Sequence, residues 1–60
     1  MEMRRKTLAK TYDVSLRTVD NVLKLMRQSG YDIPTGSIVL VDSEDFGWAL
    51  KHRDELRERA

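Results

Sequence analysis

The sequence predicts a mainly helical domain carrying a small β-hairpin, in the order helix, helix, strand, strand, helix. Three observations carry that prediction. Apolar residues recur twice at helical spacing in the first half, a β-branched run follows a proline-glycine turn, and an acidic capping sequence opens a final helical stretch. The chain has 60 residues, which makes one domain spanning 1–60, near the lower limit at which a hydrophobic core folds unaided.

The first helix is expected from about Glu2 to Thr11, with Glu2 near its positive end and Leu8, Ala9 and Tyr12 on one face. A tight turn follows. Ala9 is small where two helices must cross closely, Asp13 tolerates a left-handed backbone, and Val14 can plug the junction. Ser15 offers an oxygen to the free N–H groups of a second helix that runs to about Gln28 and stops at Ser29-Gly30. Its buried side is Val19, Val22, Leu23 and Met26. Tyr31-Asp32-Ile33, a turn at Pro34-Thr35-Gly36-Ser37 and the run Ile38-Val39-Leu40-Val41 make the hairpin.

Asp42-Ser43-Glu44-Asp45 is a strong helix start, with a capping oxygen followed by acids near the positive end of the dipole. The third helix then runs toward the C-terminus with Phe46, Ala49, Leu50 and Leu56 on one side. Trp48 lies roughly 200° around the wheel from Phe46, on the side of His52, so it is the one large apolar residue left exposed by the pattern. Gly47 inside this helix costs about 1 kcal/mol relative to alanine and points to close packing or a partner nearby. Trp48 and His52 together form a candidate protein contact.

Composition removes several function classes. Without cysteine there is no disulfide or thiolate metal site, and one histidine cannot make a metal cage, so no metal and no cofactor is expected. No catalytic constellation is visible: no nucleophile beside a base, no paired carboxylates, no phosphate-cradling loop, so neither an enzyme nor a small-molecule substrate is expected. No apolar run approaches the roughly 20 residues of a membrane span, and the start lacks a secretion signal. The expectation is a cytoplasmic protein, or a piece of one, that makes no membrane contact.

The net charge of +1 hides a division. Residues 1–28 hold seven basic and three acidic side chains, whereas residues 29–60 hold four basic and seven acidic ones. A phosphate backbone is drawn to the first half and repelled by the second. The outward stripe of the second helix carries Arg17, Asp20, Asn21, Lys24 and Gln28. Arg17 suits a guanine and Asn21 an adenine in the major groove, while Lys24 and Gln28 reach a base edge or a phosphate. Ser15 and Thr18 stand at the helix start, where a hydroxyl meets phosphate or, for Thr18, a thymine methyl. Arg4, Arg5, Lys6 and Lys10 on the first helix are candidate phosphate contacts. Thr35, Gly36 and Ser37 at the hairpin tip are candidates for contact with the adjacent DNA backbone or minor groove, through backbone N–H groups and the Thr35 and Ser37 side chains. Asp20 would repel phosphate unless paired with Lys24 or a cytosine amine.

The register Leu8-Ala9, Tyr12, Val14-Ser15, Thr18-Val19, Val22 resembles the helix-turn-helix of the MerR-like and excisionase-like winged-helix proteins. The resemblance extends through the hairpin and the closing helix to nearly all of the chain. It implies a winged helix that binds double-stranded DNA, with the second helix in the major groove and the hairpin as the wing. Small stand-alone members of that group are excisionases, or recombination directionality factors, which bend DNA and help an integrase excise a mobile element. The resemblance therefore implies a partner integrase or further copies of the chain on DNA, in a bacterial or phage-infected cell. A small phage or plasmid transcriptional regulator is the second expectation. A protein-binding winged helix that uses Trp48 and the acidic half is the third.

Overall fold

The chain folds around one central helix, with elements in the order β1 (Glu2–Arg4), α1 (Arg5–Thr11), α2 (Leu16–Gln28), β2 (Leu40–Asp42), α3 (Ser43–Lys51) and α4 (Arg53–Arg59). The computed structural model describes residues 1–36 and 38–59, the side chain of Arg59 excepted. It is mainly helical, with one two-stranded antiparallel sheet. Helices α1, α3 and α4 all pack on α2.

The junction between α1 and α2 is built as its residues predict. Asp13 takes the left-handed conformation at φ 55°, Val14 N–H donates to the Ala9 carbonyl at 3.0 Å, and Asp13 N–H donates to the Lys10 carbonyl at 3.4 Å. This is a Schellman closure, which satisfies carbonyls that the end of a helix leaves free. Ser15 Oγ then accepts the Thr18 N–H at 3.2 Å and caps α2. The far end of α2 closes in the same way: Gly30 has φ 103°, Gly30 N–H donates to Arg27 at 3.1 Å and Tyr31 N–H donates to Met26 at 3.0 Å.

Val19, Val22, Leu23 and Met26 of α2 are buried together with Leu8, Phe46, Ala49 and Leu56, as the helical spacing predicts. Val39 and Val41 complete this core, while Tyr12, Val14, Tyr31, Ile33 and Leu50 pack against it half-buried. Each fully buried Leu, Val or Phe contributes about 1.5–3 kcal/mol, so in a chain this short few of these positions are dispensable.

Three expectations are corrected. The first helix does not begin at Glu2: residues 2–4 are extended, and the first turn of α1 contains no acidic residue. The strand instead serves as partner to β2, with Glu2 opposite Asp42, Met3 opposite Val41 and Arg4 opposite Leu40. The hairpin between Tyr31–Ile33 and Ile38–Val41 does not form, because β2 pairs with β1 and the 31–33 segment spends its backbone elsewhere. Ile33 N–H turns back to the Tyr31 carbonyl at 3.1 Å, and the Ile33 and Pro34 carbonyls accept Arg27 Nε and a terminal guanidinium nitrogen at 3.2 and 2.9 Å. Pro34 has no N–H to add to a ladder. The order helix, helix, strand, strand, helix thus becomes strand, helix, helix, strand, helix, helix.

The third correction concerns the closing helix, which breaks at His52. The break carries neither proline nor glycine. His52 N–H still reaches the Trp48 and Ala49 carbonyls at 3.0 and 3.2 Å, but its φ of −114° leaves the helical range. The new direction lets α4 lay Leu56 into the core against α2. The expected start of α3 does hold, with Asp42 Oδ1 accepting the N–H groups of Glu44 and Asp45 at 2.8 and 3.3 Å. Those two donors hold the Asp42 carboxyl below the usual aspartate range.

Candidate nucleic-acid interface

Because α2 buries Val19, Val22, Leu23 and Met26, its opposite face is forced outward by the helical period. Arg17, Asp20, Asn21, Lys24 and Gln28 are all exposed on it. Two shallow clefts flank this stripe. On one side Asp20 and Arg27 meet Arg5 from the start of α1 and Thr35 and Gly36 from the loop, around a cleft of about 270 Å³. On the other, Asn21, Lys24 and Gln28 meet Arg57 of α4 around a cleft of about 250 Å³.

The basic residues expected to hold phosphate are divided by the structure. Arg4, Arg5 and Lys6 line one open cleft of about 410 Å³ with Thr7, Ile38 and Val39. Arg4 is placed by β1, whereas Arg5 and Lys6 open α1. Lys10 is exposed one turn further along α1. Arg5 is half-buried, and its guanidinium donates to Asp20 Oδ1 at 2.9 Å.

At the start of α2 the two hydroxyls are engaged with each other: Ser15 Oγ and Thr18 Oγ1 lie 3.0 Å apart, and Ser15 caps the helix. Thr35 and Gly36 are exposed beside Arg5 and Arg27. Ser37, expected at the same tip, lies outside the described residues. Trp48 is 40 % exposed, as its place on the wheel predicts, and stacks on His52 with ring centroids 4.1 Å apart and planes at 12°. His52 Nδ1 lies 2.7 Å from the Trp48 carbonyl oxygen, an acceptor, which requires hydrogen on that nitrogen. This pair borders a cleft with Tyr12, Glu44, Gly47 and Lys51, which shares no lining residue with the clefts along the stripe.

Three participants were not legible in the sequence. Asp20 pairs with Arg5 rather than with Lys24, an encounter between residues 15 apart that no local spacing announces. Arg27, at the margin of the stripe, turns away from it to hold the loop. Arg57, from the acidic half, returns to the edge of the stripe because α4 packs on α2. Among the described residues no group of three or more histidine, cysteine, aspartate or glutamate side chains is set to hold a metal ion. No described helix is long and apolar enough to cross a membrane. Comparison with known proteins returns no matching family model, no matching curated protein and no matching solved structure.

Proposed function

We propose that the protein binds double-stranded DNA sequence-selectively, with α2 in the major groove. The observation that carries this reading is the uncovered stripe of α2, flanked by Arg5 on one side and by Arg57 on the other, with Arg4 and Lys6 lining a second cleft that also reaches Arg5. Arg17 and Asn21 read base edges, Lys24 and Gln28 reach a base or phosphate, and Arg4, Lys6 and Lys10 hold the backbone. Ser15 and Thr18 fix the end of α2 that points at the duplex. Within this reading the two-stranded sheet and the loop around Thr35 and Gly36 act as the wing of a winged helix, laid against the neighbouring backbone.

A module of this size covers about 600–1,000 Å² of protein surface on DNA, so selectivity needs several copies or a partner. The exposed Trp48–His52 stack supports such a contact. We therefore place the protein with excisionase-like factors that organise DNA for an integrase, and set a small transcriptional regulator beside it. Selection of duplexes from a random pool, followed by competition titration, tests the reading. Arg17→Ala or Asn21→Ala should cost about 1–3 kcal/mol at the selected site and less on random duplex. Absence of duplex binding by the parent at low salt would overturn it. Repeated sites and bending in a circular-permutation assay support the excisionase-like role, and a single operator supports the regulator.

A further inference from the structure

Asp20 is an acidic side chain on the face proposed to meet DNA, and the fold does not leave it idle. It accepts Arg5 at 2.9 Å, and this pair lies where the start of α1, the stripe of α2 and the loop at Thr35 and Gly36 converge. A second guanidinium lines the same cleft, but Arg27 is committed to the Ile33 and Pro34 carbonyls. Arg5 has no such second anchor among the described residues. One of its terminal nitrogens is held by Asp20, and its other donors are available in the cleft.

We propose that Asp20 is a positioning residue: it tethers Arg5 to α2, so that Arg5 acts as a selective reader of the duplex instead of a general phosphate anchor. This rests on the DNA-binding reading above. A free arginine gains nearly the same energy from every phosphate it meets, so it adds affinity without discrimination. An arginine held by a carboxylate has part of its charge answered and its fork fixed in one direction, which weakens diffuse attraction and rewards one geometry. The carboxylate adds a further penalty for phosphate docking in any other register. A pair this exposed adds little to fold stability, so its effect is expected in recognition.

The test is Asp20→Asn, measured by competition on the selected duplex and on random duplex, in the parent background and in Arg5→Gln. The proposal requires opposite signs: binding to the selected site falls about tenfold, while binding to random duplex rises about twofold and its salt dependence steepens. In the Arg5→Gln background the loss on the selected site should disappear. If affinity rises on both duplexes, Asp20 merely repels phosphate; if it falls on both, the pair merely supports the fold. Either outcome overturns the proposal while leaving the DNA-binding reading standing. A parent chain that binds no duplex overturns both.

Discussion

The Tyr12 hydroxyl donates to the Ser43 carbonyl at 2.6 Å, tying the C-terminal end of α1 to the first turn of α3. The same ring packs against Phe46 with centroids 5.4 Å apart, and it leaves no room beneath itself: a Cβ added to Gly47 would lie 2.5 Å from the Tyr12 oxygen. Glycine at position 47 is therefore a condition of the Tyr12 bond, which explains its presence inside a helix.

Gly47→Ala should destabilise the fold by about 1–3 kcal/mol even though alanine is the better helix former, because the tyrosine ring is pinned at both ends. Tyr12→Phe should cost about 1 kcal/mol for the lost hydrogen bond. Denaturant titration of the double variant supplies the check. With the hydroxyl gone, part of the alanine penalty should vanish, so the two changes should cost less together than their sum.

Asp13 holds a left-handed backbone at φ 55° in the turn between α1 and α2. Asp13→Gly relieves that conformation and should raise stability by about 0.5–1 kcal/mol, after allowance for the extra freedom of an unfolded glycine. Asp13→Val places a β-branched residue there and should lower stability by more than about 1 kcal/mol. Thermal melts that rank the three proteins otherwise would show that the turn relaxes to another conformation.

Arg27 should matter to the loop more than to DNA. Its two bonds to Ile33 and Pro34 fix the segment that lies beside Arg5 and the stripe. Arg27→Ala should lower the local opening free energy of residues 31–36 by about 1–2 kcal/mol, seen as faster amide exchange there with α1 and α2 unchanged. Arg27→Lys should not restore protection, since one ammonium lacks the planar fork that serves both carbonyls.

Acid should expose the role of Asp42. Its carboxyl is held below the usual range by the N–H groups of Glu44 and Asp45, so its contribution is complete above the unfolded aspartate value, about pH 4. That contribution is lost as the pH falls through the lowered folded value. Asp42→Asn still offers an oxygen to the helix start but cannot titrate, so the stability gap between parent and variant should close progressively below about pH 4. A gap that stays constant in denaturant titrations from neutral to strongly acid pH would mean that the charge on Asp42 adds nothing.

If the basic start of the chain holds phosphate, Arg4→Ala with Lys6→Ala should weaken binding to every duplex alike. Each lost phosphate contact should flatten the slope of log affinity against log salt by about 0.9. An unchanged slope would remove both residues from the interface.

The parts legible in the sequence are those written locally. The periodicity of Val19, Val22, Leu23 and Met26 fixes which face of α2 turns inward, and Ser15, Asp42 and Gly30 mark helix ends through bonds to near neighbours. Trp48 stands outside the core for the same reason. What remained hidden depends on partners far along the chain. Ile38–Val41 carries a strand signal that says nothing about its mate, and an adjacent turn made Tyr31–Ile33 the obvious choice over Glu2–Arg4. The bend at His52 is set by where Leu56 finds the core, and the Arg5–Asp20 pair by how α1 lies across α2.

The strand pairing also sets an order of assembly. Met3 lies opposite Val41, so on a ribosome the first strand is made long before its mate and lacks that partner while α1 and α2 are made. The helical pair can form early from neighbouring contacts, but closing the sheet must wait for the segment that follows the Arg27-held loop and must overcome the entropy of a long loop. Until then the core side chains of α1 and α2, Leu8, Val19, Val22, Leu23 and Met26, lack Val41 and Phe46, which complete the same cluster, and apolar surface stays open to water.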